Sequence, residues 1–385
     1  MKEVDKDGLK APAFAALALA FASFGDAFLY PFLPVNFGIV GVPVVWVGVL
    51  LSINRFVRIF SNTMIVHVLA KYGLRSTVIV AVMLAIASTL GYGIAKGLIV
   101  WVLFRIIWGL AFSAMRIGIL GYALHQNRQG LALGVSRSLQ ESGPMILLFM
   151  APMLLRYFDV RSIFYLLGFL SLPALYFAFR LPVVDDKTPA LESKRLLSRP
   201  TSLNSITLVS AIIIDGIIVV VLGVLFLHYR EGISLVTATT VAAFYLGFRR
   251  LCLVALSPAG GWIADRLGLE RVFNLSMILV VAGLIFIVGG WIEVGAVIVF
   301  AFYSINSAVT PGSASKKNSH SLAGVAENAT WRDIGSAVGT LIGGFLITSP
   351  HVNNVLIVAI FAMTLLLLIH LGVTQRALKL FYLWK

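Results

Sequence analysis

Apolar runs of bilayer-crossing length follow one another along almost the whole chain, and this constrains the fold more than any other feature. Reading stretches of about 20 predominantly apolar residues as membrane spans gives twelve: roughly 11–34, 44–70, 77–95, 98–124, 131–155, 161–180, 204–228, 235–260, 272–291, 294–314, 324–347 and 352–374. Charge is correspondingly scarce. Asp, Glu, Lys and Arg make up 12% of the 385 residues and apolar side chains 59%, where a soluble domain is about 25% charged. The single cysteine, Cys252, excludes an intramolecular disulfide, so the fold must come from helix packing. The expectation is an all-α integral membrane protein. Its first apolar segment, "APAFAALALAFASFGDAFLYPFLP", is too long for a removed signal peptide and lacks the small-residue cleavage site, so it reads as the first span.

The net charge of +14 would point to nucleic acid in a soluble chain, but its distribution gives another reason. Of the 30 Lys and Arg residues, four lie on one set of loops (Lys96, Arg156, Arg161, Arg230), nineteen lie on the opposite set and the termini, and seven lie within spans. The positive-inside rule then places both termini in the cytoplasm. The expected location is the inner, cytoplasmic membrane, with lipid and not nucleic acid as the partner of the surface charge.

The polar stretch "RLPVVDDKTPALESKRLLSRPTSLN", 180–204, has three prolines and mixed charge. It divides the chain into an N-terminal six-helix bundle (1–180), a cytoplasmic linker (181–203) and a C-terminal six-helix bundle (204–385). Internal similarity supports the division. Gly73 lies 18 residues beyond Arg55, and Gly268 the same 18 beyond Arg250. "SRSLQESG" (136–143) aligns with "NATWRDIG" (328–335), matching Glu141 to Asp333, while Asp26 and Asp215 occupy similar depths in the first and seventh spans. Duplicated bundles of this kind build a site at their interface near the bilayer midplane.

"GGWIADRLGLER" (260–271) resembles the loop signature of the major facilitator superfamily, G-x-x-x-D-R-x-G-x-[KR], at Gly261, Asp265, Arg266, Gly268 and Arg271. "RIIWG" (105–109) resembles the fourth-span R-x-x-x-G element of that superfamily, and "ESGPM" (141–145) holds the Gly-Pro core of a motif from its drug/proton antiporter branch. The first-half copy of the loop signature departs from the pattern, with Val66 at the leading glycine and Ala70 at the aspartate. The resemblance implies a monomeric alternating-access transporter of two six-helix halves, with Gly261, Asp265, Arg266, Gly268 and Arg271, together with Asp333, expected at a cytoplasmic gate.

The arginines within spans are Arg55, Arg58, Arg105, Arg116, Arg249, Arg250 and Arg332. Each costs roughly 2.5–3.5 kcal/mol at mid-helix, and an arginine cannot shed its proton to escape. Arg55 lies about 16 Å into a descending span and Asp26 about 22 Å into a rising one, so their depths nearly coincide. Arg55 and Arg58 share one helix face and Arg105 and Arg116 another. The favoured reading lines a central aqueous cavity with Arg55, Arg58, Arg105, Arg116, Arg249 and Arg250, joined by Tyr30, Asn54, Tyr303, Asn306 and Trp331. Asp26, Asp215 and Glu141 are the carboxylates that could carry a coupling proton, because desolvation and a neighbouring guanidinium push such a group in opposite directions.

More arginines than acids favours an anionic small molecule held bidentately. The expected function is a proton-coupled exporter of an organic anion such as a polycarboxylate, a siderophore or a phosphorylated metabolite. A polyspecific drug/proton antiporter is the alternative and a membrane-embedded enzyme or sensor a remote one. The sequence has no nucleotide-binding loop, nucleophile elbow or metal-ligand spacing, so no cofactor, metal or enzymatic activity is expected.

Overall fold

The computed structural model describes residues 8–36, 38, 41–184, 199–230, 232–317, 322–346 and 351–383. Among these the chain is helical, without a strand, as lipid demands of a backbone that must satisfy its own hydrogen bonds. In the first half α1 (Lys10–Ala22) and α2 (Phe24–Asn36) are followed by α3 (Val44–Tyr72), α4 (Leu74–Ile94), α5 (Leu98–Leu124), α6 (Gln129–Tyr157), α7 (Val160–Leu170) and α8 (Pro173–Phe179). In the second come α9 (Ser202–Ser210), a π-helical segment (Ala211–Ile218), α10 (Val219–Tyr229), α11 (Leu235–Leu267), α12 (Leu269–Val288), α13 (Ile292–Lys317), α14 (Leu322–Leu346) and α15 (Val352–Leu383).

Among the described residues nine helical stretches are long and apolar enough to cross a membrane, and α1 with α2, bent by 49°, makes a tenth. The remaining two long helices, α6 with 29 residues and α14 with 25, are of spanning length too. They carry Arg137, Gln140 and Glu141, and Arg332 and Asp333, in their interiors. Taking α7 with α8, and α9, the π segment and α10, as single spans, the count agrees with the twelve expected.

The expected eighth span ends at residue 260, but α11 runs on to Leu267 with Pro258 inside it. Gly261 and Asp265 therefore stand on a helix, and the turn is confined to Gly268, whose φ of +93° suits glycine. Most of the polar linker, residues 185–198, lies outside the described residues.

Burial separates the two halves. One apolar cluster runs from Leu203 to Leu367 entirely within the second half. Three others lie in the first half: one around Leu19, Val78 and Trp108, to which Ala326 also belongs, one around Phe28, Trp101 and Phe164, and a small one of Ala123, Ala132 and Leu133. Lipid tails are as apolar as these cores, so close approach of backbones at small residues holds the helices. On α14, Gly335 and Gly339 meet the backbone of Leu208 and Ile212, and the Gly216 backbone meets Gly339 in turn, leaving no room for a side chain. Gly344, on the same helix, has nothing within 4 Å. Gly339→Ala should accordingly destabilise the folded protein by about 1–3 kcal/mol and Gly344→Ala should leave it unchanged, a contrast that thermal melts of the purified protein in detergent would record.

Candidate functional site

The end of the bundle that carries Arg180 and Thr201 is the linker end. Each half breaks a regular helix beside its first-helix aspartate. In the first half the bend at Ser23, whose Oγ donates to the Leu19 carbonyl at 2.6 Å, precedes Asp26. Gly25 lies hard against Thr89 of α4, which brings the start of α2 inward. Asp26 pairs with the Arg105 guanidinium, and Asn54 approaches the same carboxylate at 3.5 Å. Arg105 is also spent on the Leu50 carbonyl at 2.7 Å and the Leu51 carbonyl at 3.4 Å. Its side chain is 1% exposed.

In the second half Asp215 sits in the π segment, a local widening of the helix that recurs at functional positions. Its carboxylate pairs with Arg249, accepts from Arg332 Nε at 3.1 Å and accepts from the Tyr303 hydroxyl at 2.8 Å. One acid thus serves two guanidiniums and a phenol.

Two further acids bridge the halves. Asp333 on α14 takes Arg58 of α3 at 3.1 Å and Arg116 of α5 at 2.7 Å, while Asn62 of α3 donates to it at 3.1 Å. Arg58 and Arg116 both stack on the ring of Phe112. In the opposite sense, Glu141 on α6 takes Arg250 of α11 at 3.4 Å and, within its own helix, Arg137 at 3.1 Å. The two residues matched by the internal repeat therefore do the same thing in reverse, each lending its carboxylate to an arginine of the other half. Arg55 pairs with no carboxylate among the described residues; its Nη1 reaches Thr340 Oγ1 at 3.1 Å, again across the halves.

The halves also close on each other at the linker end. Asp265 accepts from the backbone N–H groups of Gly130 at 2.7 Å and Leu131 at 2.9 Å. A carboxylate on α11 thereby caps the first turn of α6, where the amides are unpaired and the helix dipole is positive. Gly130 and Gly261 touch backbone to backbone beneath it. Arg266 does not join this contact; it is exposed and stacks on Trp262 at 3.7 Å. Arg271 is exposed as well.

Between these two layers lies a cavity of about 60 Å³ lined by α5, α6, α9, α13 and α14. Its wall includes Arg116, Arg137 and Arg332 with Gln140 and Tyr303, and no Asp or Glu. The Nε–H groups of Arg116 and Arg137 are buried without a protein acceptor. Such a space, acid-free and edged with guanidinium donors, can hold the oxygens of one carboxylate or phosphate group. No group of His, Cys, Asp and Glu able to hold a metal occurs among the described residues.

The sequence profile of the Major Facilitator Superfamily matches residues 15–315. The chain belongs to that superfamily. Its fold is similar to that of the human organic anion transporter MFSD10 (TETRAN), with a TM-score of 0.67 at 12% identity over 92% of this chain and 99% of the other. It is also similar to a single-residue variant of the E. coli fucose:proton symporter FucP, with a TM-score of 0.70 at 13% identity over 92% and 97%. A structure of FucP in the outward conformation gives a TM-score of 0.68 at 12% identity, again over 92% and 97%. No curated protein matches. The protein is a multi-pass membrane transporter of a small molecule.

Within this transporter several expected site residues sit elsewhere than the cavity wall. Arg105 is consumed by Asp26 and two carbonyls, with Asn54 drawn into the same node. Arg55 turns to Thr340. Asn306 borders the cavity, yet its amide nitrogen is spent on the Phe273 carbonyl and Ser276 Oγ, both at 3.0 Å. Tyr30 and Trp331 are half-buried, the indole N–H of Trp331 without a protein acceptor. Arg116 and Tyr303 line the cavity, whereas Arg58, Arg249 and Arg250 belong to the ion-pair layer. Gln140, a polar residue the sequence also offers as a ligand contact, lines the cavity; sequence reasoning missed Arg137. Its signal was the i, i+4 spacing of Arg137 and Glu141, which places both on one face of a span.

Removing a shared acid should expose its importance. Asp333→Asn leaves Arg58 and Arg116 without a carboxylate, an expected loss of about 3–5 kcal/mol. A lowered melting temperature that Arg116→Gln partly restores in the double variant would register it.

Proposed function

We propose that the protein is a proton-coupled secondary transporter of an organic anion, such as a polycarboxylate, a siderophore carrying carboxylates, or a phosphorylated metabolite. The observation that carries this reading is the acid-free cavity edged by Arg116, Arg137 and Arg332. Around it, eight intramembrane arginines face four carboxylates, so the network has positive charge to spare. A drug pump for lipophilic cations calls for the opposite balance. One solved structure of this fold is that of an organic anion transporter; at 12% identity it supports the fold, and the anion reading rests on the arginines.

Alternating access follows from the same contacts. Asp265 on the α6 amides, and Asp333 and Glu141 across the halves, hold the linker end shut; opening it requires all three to let go. Asp26, Asp215 and Glu141 are the proposed proton carriers. Protonating one of them withdraws a counter-charge from its arginines and leaves them free for the anion, so proton and anion bind together. That logic favours co-transport, whereas the Gly143–Pro144 fragment is what favours export. Gly143 also has a packing reason to be glycine, since it lies against the Ala20 carbonyl.

The test is transport into proteoliposomes of a panel holding a dicarboxylate, a sugar phosphate, a neutral sugar and a lipophilic cation. Anions alone are expected to move, driven by an imposed pH gradient, and the gradient direction that accelerates uptake assigns co-transport or exchange. Arg137→Gln, which leaves Glu141 its Arg250 partner, should raise the KM for the anion about tenfold with little change in protein stability. Asp26→Asn should abolish the response to the gradient. Transport of the cation and none of the anions would replace this reading with the drug antiporter.

A further inference from the structure

On the first half, sharing only the helix α5 with the arginine cavity, α3, α4 and α5 leave a groove of about 410 Å³. It exists because its floor is built from three alanines, Ala81, Ala111 and Ala114, all buried. Its rims are the larger Met64, Val80 and Leu84, which stand exposed on the outer face of the bundle. The volume is in the range of ligand sites, and carbon lines it except at one end. There, towards the loop joining α3 to α4, stand Tyr72, Ser76 and Thr77. The Thr77 hydroxyl is spent on the Gly73 carbonyl at 2.9 Å, while Tyr72 and Ser76 are exposed.

The two charged residues that flank that end on α3 and α4, Lys71 and Arg75, are both basic. The Lys71 ammonium lies over the Tyr72 ring at 5.2 Å. Arg75, next to Ser76, is anchored by donating to the Phe179 carbonyl at 2.9 Å. Between Asp26 and Glu141 the sequence contains no Asp or Glu, so none of the three helices, nor the loops between them, can repel an anion. The loop itself is the altered copy of the repeat: where the second half has Asp265 capping α6, the first has Ala70. From Ser76 to Leu84 is eight residues of α4, about 12 Å, close to the ~15 Å depth of one leaflet's hydrocarbon.

An apolar channel one leaflet deep, open to lipid along its side and cationic at its mouth, fits an amphiphile with a negative head. We propose that this groove binds one anionic phospholipid of the linker-side leaflet, an acyl chain lying over Ala81, Ala111 and Ala114 and the headgroup phosphate held by Lys71 and Arg75.

The full-length protein, delipidated in mild detergent, is titrated with phosphatidylglycerol or phosphatidylcholine and read by native mass spectrometry. One phosphatidylglycerol is expected to be retained about ten times more strongly than phosphatidylcholine. Lys71→Gln with Arg75→Gln should abolish that preference, both residues lying at the helix ends. Ala81→Phe, which fills the floor, should lower retention of both lipids, and the charge pair of variants decides the matter if Ala81→Phe misfolds. Equal retention of the two lipids by the unaltered protein, or an undiminished preference in the charge-pair variant, overturns the proposal. So does protection of the protein against thermal unfolding by millimolar inorganic phosphate alone, because the site would then take a free anion without needing a chain in the groove.

Discussion

An arginine that cannot lose its charge, held at a depth where water is scarce, must be given oxygens, and here the oxygens are rationed. Among the described residues four carboxylates serve seven of the eight guanidiniums, Arg55 turning to Thr340, and three of the four are shared between two arginines. Sharing dictates geometry, since an acid can lie within hydrogen-bond reach of two guanidiniums only if the helices carrying them converge on it. Asp333 draws α3 and α5 to α14; Asp215 draws α11 and α14 to the π segment; Glu141 draws α11 to α6. The convergences on Asp333 and Glu141 hold the halves against each other, and that on Asp215 holds the second half together. Breaking any one of them leaves a buried charge uncompensated, which costs more than the intact pair contributes.

The duplication is visible in this network but is not exact. Asp26 and Asp215 each follow or occupy an irregular turn, and each is held by an arginine of its own half. Yet Asp26 has Arg105 and Asn54 where Asp215 has Arg249, Arg332 and Tyr303. The Asp26 node is nearly neutral; the Asp215 node keeps a positive surplus and borders the cavity through Arg332 and Tyr303. The duplicated scaffold has thus matched one first-helix acid to a single arginine and given the other two, while Arg58 and Arg116 of the first half draw on Asp333 of the second.

Hydropathy alone located the twelve spans to within a few residues at most ends, because lipid penalises a polar backbone or side chain too heavily for the pattern to blur. Proximity was partly legible too: Asn54, next to Arg55 in the chain, reaches Asp26 at 3.5 Å. What depth cannot give is rotation about the helix axis, and rotation decides partners. Arg105, a residue whose side chain the sequence would also let face the cavity, turned to Asp26, while Arg55 turned to Thr340. Arg137 was hidden by the positive-inside count, which credits any basic residue near a span end to the loops. Asp265 could be read as a helix cap or an ion-pair partner, but that it caps α6 of the other half depends on Gly130 and Gly261 allowing the backbones to touch. No local signal encodes that contact.

On the proposed reading, these cross-half acids and the transported anion compete for the same guanidiniums. While the linker end is shut, Asp333 and Glu141 supply the bridging oxygens. When it opens, Arg58 and Arg116 part from Asp333, and Arg250 from Glu141, so the surplus charge of each half grows at the moment the cavity meets the compartment beyond. An anion bound by Arg116, Arg137 and Arg332 offsets that growth, and the open state is stabilised by its cargo by RT ln(1 + [L]/Kd) over the empty one. Closing again returns the arginines to their acids, which displaces the anion towards the far side. Rationed carboxylates would in this way do two tasks with one set of contacts: they hold the empty transporter shut, and they make its opening depend on something negative to take their place.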